Sequence, residues 1–130
     1  MKKILIVDDE KWVIEVLKDI LEENGYSIIV AMDAMQAIMQ TVRNQPDLIL
    51  LDVMLPAGGG IAVYNRLKQS VITQIIPVIF LTAIPIPSVK QKLPPGAANV
   101  IMFSKPWNHK ELLGMIDTLL CKKPKVPYPQ

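Results

Sequence analysis

The apolar positions of this 130-residue chain alternate between two spacings, regularly enough to be read as elements. Ile4-Leu5-Ile6-Val7 is a short unbroken apolar run, the pattern of a strand buried on both faces. Trp12, Val13, Val16, Leu17, Ile20 and Leu21 then recur three and four residues apart, which predicts an amphipathic helix stopped by Asn24-Gly25. Ser27–Ala31 reads as a second strand. Asp33 is placed to cap a helix whose apolar stripe is Met35, Ile38, Met39 and Val42, ended before Pro46. Leu48-Ile49-Leu50-Leu51 predicts a third buried strand that stops at Asp52. After the loop Pro56–Gly60, a third helix carries Ile61, Val63, Tyr64 and Leu67. Pro77–Thr82 predicts a fourth strand. Pro85, Pro87, Pro94 and Pro95 confine the following helix to about two turns near Ser88–Leu93. Val100–Phe103 predicts a fifth strand, and Asn108 caps a last helix with Leu112, Leu113, Ile116, Leu119 and Leu120. From Lys122 the chain turns Pro-rich and basic. The expected division is a domain over 1–121 and a tail or linker over 122–130.

Five strands alternating with five helices predict an α/β fold with a parallel sheet covered on both faces. In doubly wound sheets of this kind, ligands bind beyond the carboxyl ends of the strands. The residues to inspect therefore follow each strand: Asp8 and Asp9, Asp52, Thr82-Ala83, and Ser104-Lys105-Pro106.

Composition narrows the picture. Apolar residues make up 51% and charged residues 20%, enough for a core in a single domain that needs neither disulfide nor structural metal. The lone Cys121 has no partner for an internal disulfide and points to a reducing compartment. The apolar run behind Met1-Lys2-Lys3 ends at Asp8, far short of a signal peptide, and no stretch reaches the ~18 apolar residues of a membrane span. The expected location is the cytoplasm. A net charge of +2 excludes bulk nucleic-acid affinity, and Lys122, Lys123 and Lys125 are a weak footprint for it. The charge is split, however: residues 1–60 carry ten acids and five bases, and residues 61–130 two acids and nine bases. An acidic site from the first half facing basic groups from the second is one reading, and ordinary scatter is the other.

Taken singly, the candidate residues have plain uses. Asp8 or Asp9 suits a helix cap, Asp52 a turn, Thr82 a strand and Lys105 the surface. His109, the only histidine, is expected exposed at the start of the last helix, which leaves no His cluster and no base for a nucleophilic triad. Trp12 is expected to pack on the domain, with covering the acidic pair as the alternative. Met32, Met35 and Met39 are expected to fill the core. Taken together, three carboxylates, a hydroxyl and an ammonium converge on one sheet edge. Crowded carboxylates repel, and hard oxygen ligands in this number suit Mg2+. Metal, lysine and hydroxyl around a nucleophilic carboxylate make a phosphoryl-transfer arrangement.

The segments Ile6-Val7-Asp8-Asp9-Glu10, Leu51-Asp52-Val53-Met54-Leu55-Pro56, Leu81-Thr82-Ala83 and Ser104-Lys105-Pro106-Trp107 resemble the receiver domain of two-component response regulators, over about residues 1–121. The resemblance implies a flavodoxin-like sheet of strand order 2-1-3-4-5. It implies Asp52 as the acceptor of a phosphoryl group from a sensor histidine kinase or phosphotransfer protein. Asp9, Asp52 and the backbone carbonyl of Met54 would bind Mg2+ directly, with Asp8 acting mainly through water. Thr82 and Lys105 would hold the phosphoryl oxygens, Pro106 would follow a cis peptide bond, and Gly60 would start the third helix. The implied role is a signalling switch with self-catalysed phosphoacceptance and slow autodephosphorylation, not an enzyme with turnover.

Three features depart from the family pattern. The switch position, three residues before the lysine, is Met102 where Tyr, Phe or His is usual, and Phe103 points to the opposite face. The fourth helix is hemmed by prolines. Ala98-Asn99-Val100 stands where many transcriptional members carry an acid for paired dimers, so a monomer or weak dimer is expected. Met54 and Ile84, each two residues past Asp52 and Thr82, present apolar groups that hinder water, so a long-lived phosphoryl group is expected. The alternatives are a pseudo-receiver acting by protein contacts alone, and an aspartyl-phosphate phosphohydrolase. The second lacks its general acid, since Met54 stands at that position.

Overall fold

The computed structural model describes residues 1–56, 58–94 and 100–120. Pro95, Ala98, Asn99, Cys121 and the expected 122–130 tail lie outside the described residues. Ten elements follow in strict alternation: β1 (Lys3–Val7), α1 (Lys11–Glu23), β2 (Ser27–Ala31), α2 (Ala34–Asn44), β3 (Leu48–Asp52), α3 (Gly59–Lys68), β4 (Val78–Thr82), α4 (Ile86–Lys92), β5 (Ile101–Ser104) and α5 (His109–Leu119). The strands form one parallel sheet in the order β2-β1-β3-β4-β5, as the resemblance implied.

The unbroken apolar runs follow from burial on both faces. Alternate strand residues enter two separate cores. Leu5, Val7, Ile49, Leu51 and Phe80 meet α2, α3 and α4 on one face. Ile4, Ile6, Leu48, Leu50, Ile79 and Leu81 meet α1 and α5 on the other. Met102 packs into the first core and Phe103 against the second, so the two point to opposite faces as expected.

The predicted caps form. Asp33 accepts from the Gln36 N–H at 2.8 Å and Asn108 from the Glu111 N–H at 2.9 Å. Gly25, at φ +87°, carries the chain out of α1. Helix α4 begins at Ile86, two residues before the expected start, because Pro87 lies in its first turn, where the missing N–H breaks no helical bond.

Helix α2 corrects the sequence reading. Its buried stripe is Ala34, Ala37 and Thr41, while Met35, Met39 and Val42 are 69%, 54% and 61% exposed. Met32 is exposed as well, so none of the three methionines expected in the core lies there. Positions 34, 37, 38 and 41 have the same helical spacing as 35, 38, 39 and 42, displaced by one residue. Small side chains on that stripe let the helix lie close to the sheet, and Thr41 satisfies its hydroxyl on the Ala37 carbonyl at 2.7 Å.

Candidate functional site

The carboxyl ends of β1, β3, β4 and β5 meet at one edge of the sheet, and the charged residues gather there. The Lys105 Nζ lies 2.8 Å from Asp8 Oδ2, 3.3 Å from Asp52 Oδ2 and 3.4 Å from Glu10 Oε1. Its side chain is only 7% exposed, so it is no surface lysine. Asp8 and Asp52 are buried too. Asp8 accepts the Glu10 N–H at 2.9 Å and Asp52 the Met54 N–H at 3.1 Å. Neither Asp8 nor Asp9 caps α1; Glu10 occupies the N-cap position with no side-chain cap bond. Asp52 ends β3 and opens a cleft of about 470 Å³, lined by Asp9, Glu10, Asp52, Met54, Pro56 and Gly59.

The path of that chain depends on glycine. Gly58 and Gly59 hold φ of +117° and +78°, in the left-handed region. At Gly60 the constraint is contact: a Cβ there would sit 2.0 Å from the Asp52 carbonyl oxygen. The Gly60 N–H reaches the Val53 carbonyl at 2.9 Å, so α3 starts directly against the end of β3.

One ammonium contacts three of four clustered acids. Carboxylate oxygens of Asp8, Asp9, Glu10 and Asp52 all lie within 4.8 Å of one another. Burial, and then the Asp8 charge, push the Asp52 carboxyl up to about 6, although the Met54 N–H and Lys105 favour its ionised form. Burial alone pushes the Lys105 ammonium down, but its bond to Asp8 and the charges of Asp52 and Asp8 outweigh this and raise it overall. Glu10 is lowered, chiefly by the Trp12 N–H, with Lys105 assisting against the opposing effect of desolvation. The cluster is thus under-neutralised, with Asp9 and Glu10 open to solvent. Hard oxygen donors in a net-negative cleft fit a divalent cation such as Mg2+.

The expected residues are not all drawn into this contact. Thr82 is buried at the end of β4, but its hydroxyl is turned to its own loop, accepting the Ile84 N–H at 2.8 Å and facing the Ile84 carbonyl at 3.1 Å. The β4 and β5 ends are tied by the Lys105 N–H on the Thr82 carbonyl at 2.8 Å. The Lys105-Pro106 bond is cis. Met102 lies two residues below the edge, opposite Phe80. The Met54 side chain is an exposed rim of the cleft, whereas Ile84 is half-buried against the first core.

One feature was missed, and a second stood only as an alternative. Glu10 joins the cluster because the N-cap backbone of α1 aims it at Lys105; its place directly after Asp8-Asp9 was the available signal. Trp12 is 51% exposed instead of packed away. It stacks on Trp107 with centroids 6.3 Å apart, and its N–H holds Glu10 at 2.7 Å. His109 is exposed as expected and accepts the Trp107 N–H at 2.9 Å.

A flavodoxin-like sheet with an acidic, lysine-paired cluster at its carboxyl edge is the class that the geometry defines. The Response regulator receiver domain matches residues 4–117, and the chain belongs to that family. It is 38% identical over 120 residues to the phosphate regulon transcriptional regulatory protein PhoB of Escherichia coli strain K12, covering 92% of this chain and 52% of that protein. The chain thus spans about half the length of the curated relatives it matches. Among solved structures it resembles a putative response regulator from Chloroflexus aurantiacus, with TM-score 0.83, 31% identity and coverage of 93% of this chain and 98% of that one. It also resembles the signal receiver domain of a signal transduction histidine kinase from Syntrophus aciditrophicus, with TM-score 0.83, 31% identity and full coverage of both. Receiver domains are regulatory switches that work with histidine kinases or phosphotransfer proteins. No helix among the described residues is long and apolar enough to cross a membrane.

Proposed function

We propose that the chain is a phosphorylation-dependent cytoplasmic switch. It takes a phosphoryl group onto Asp52 from a phosphohistidine of a sensor histidine kinase or phosphotransfer protein. The observation that carries this reading is Asp52 itself: a buried carboxylate, 3.3 Å from the Lys105 ammonium, on the floor of an open acidic cleft. An Asp52 oxygen attacks phosphorus in line. An O–P bond forms, the N–P bond breaks, and its electron pair stays on the donor imidazole. With its carboxyl titrating near 6, Asp52 is mostly ionised at neutral pH and ready to attack.

Lys105 is already beside the acceptor and takes up charge on the phosphoryl oxygens as they arrive. Thr82 must release its bonds to Ile84 before its hydroxyl can meet those oxygens, which makes the β4–α4 loop the element that phosphorylation biases. Mg2+ would be held by Asp9, Asp52 and the Met54 carbonyl, with Asp8 through water, and would neutralise charge on the transferring group. Met102 offers no ring and no hydroxyl, so coupling from Thr82 to the β5 face runs through packing of a flexible side chain.

Residues 1–121 form the switch unit in this reading, with a downstream protein target and a monomeric or weakly dimeric state. The unit itself makes no nucleic-acid or membrane contact. The exposed Met54 at the cleft rim supports a long-lived phosphoryl group by hindering water.

Incubation with acetyl phosphate and Mg2+, followed by intact-mass measurement, tests the reading. One phosphoryl group per chain is expected, absent from Asp52→Asn and absent in EDTA, with decay over minutes or longer. Rapid release of phosphate over many turnovers would identify a phosphohydrolase. No uptake at all would identify a pseudo-receiver, and decay in seconds would remove the shielding role of Met54.

A further inference from the structure

The face between α2 and α3 has an apolar groove that the phosphoacceptor chemistry does not use. It encloses about 480 Å³ and is lined by Met35, Ile38, Met39, Ala62 and Arg66. Met35 and Met39 stand one helical turn apart and are more than half exposed, with Val42 beside them. A contiguous exposed apolar stripe on a small domain marks an interaction surface. Methionine walls adapt to a range of apolar partners.

The groove is charged at one end. Arg66 lines it on α3, and Arg43 follows Met39 by one turn on α2. Both are exposed, and among the described residues neither has an ion-pair partner. Two unpaired guanidinium groups beside a greasy trough ask for carboxylates next to apolar side chains.

We propose that this groove docks an acidic amphipathic helix of a partner protein. Its apolar residues at i, i+4 and i+7 would lie along Met35 and Met39, and its carboxylates would meet Arg43 and Arg66. Charge disfavours the other occupants. A second copy would bring the same face, whose helices α2 and α3 carry arginines and no carboxylate to pair with Arg43 and Arg66. Residues 121–130 of this chain carry three lysines and no acid. The surface is a trough and not a flat basic face, which suits inserted side chains better than a lipid headgroup layer.

The groove is joined to the phosphoacceptor loop. The Ala34 N–H reaches the Pro56 carbonyl at 3.3 Å, and the Cβ position of Gly58 would lie in contact with Ala34 and Ala62. Docking here nevertheless exists in the unphosphorylated chain, so it stands or falls separately from phosphoryl transfer to Asp52.

The test uses the full 130-residue chain and two fluorescein-labelled 16-residue helical peptides. Both carry leucine at i, i+4 and i+7, one flanked by glutamate and the other by lysine. Saturable anisotropy is expected with the glutamate peptide, at least tenfold tighter than with the lysine peptide, with amide shifts confined to α2 and α3. Met39→Gln should weaken it several-fold, and the pair Arg43→Glu with Arg66→Glu should reverse the charge preference. All three positions are exposed, so these variants keep the fold. Equal binding of both peptides, shifts elsewhere, or no saturation at millimolar concentration would overturn the proposal. So would a concentration-dependent dimer lost in Met39→Gln, or binding confined to phosphatidylglycerol vesicles.

Discussion

Asp52 is held where its charge is least welcome, and this has consequences for stability. Its carboxyl titrates near 6 in the fold against 3.8 in an open chain, so the folded state holds the proton more tightly. The cost of ionising it is absent at low pH, grows as pH rises from about 4 to about 6, and is complete above that. Asp52→Asn removes the cost but also one partner of Lys105, which keeps Asp8. In EDTA at pH 7.5 the variant should be more stable by about 1–2 kcal/mol, a rise on the order of 5 °C in Tm. The gain should shrink toward pH 4, and thermal unfolding followed by circular dichroism reads both. The same proton competes with a cation. Mg2+ affinity should fall about tenfold between pH 7 and pH 5, measured by calorimetric titration. Glu10 belongs to this scale too. Its place directly after Asp8-Asp9 hinted at a role, but its orientation depends on the backbone turn into α1 and on Trp12.

At the scale of elements, the tightest joint is that between β3 and α3. Gly60→Ala would put a methyl group 2.0 Å from the Asp52 carbonyl oxygen, a backbone atom that cannot swing aside. A loss of about 2–4 kcal/mol in urea unfolding is expected, together with slower phosphoryl uptake as Asp52 shifts. A second joint is the Thr82 hydroxyl on Ile84. On phosphorylation the Ile84 amide resonance should move strongly by NMR, and in Thr82→Val the free and phosphorylated positions should converge. An Ile84 amide unmoved in the parent chain would contradict the loop's role. Helix α2 shows why element faces are harder to read than elements. Its helical period was plain, but two stripes one residue apart satisfy it equally. The sheet took the small one because alanine and threonine allow a closer approach.

Across the whole molecule, the order of elements was legible because a strand buried on both faces leaves no alternation. The runs of β1, β3 and β4 are buried in this way, and the sequence of strands along the chain could be read from them, whereas their order in the sheet came from the family resemblance. The site was legible for a related reason: parallel strands deliver their carboxyl ends to one edge, so Asp8, Asp9, Asp52 and Lys105 had to be neighbours. At that edge three acids from the first half of the chain, Asp8, Glu10 and Asp52, meet one lysine from the second. What spacing did not disclose were orientations: the Thr82 hydroxyl turned to Ile84, Trp12 stacked on Trp107 at the surface, and the methionines of α2 left facing water.

In the proposed switch, Asp52 carries the phosphoryl group. Borohydride reduces an acyl phosphate to an alcohol and leaves free carboxylates alone, so chain phosphorylated with acetyl phosphate and Mg2+ can be trapped, digested and mapped. Homoserine at position 52 and at no other aspartate is the predicted result. Homoserine at Asp8 or Asp9, or none at any position while phosphate is taken up, would contradict it.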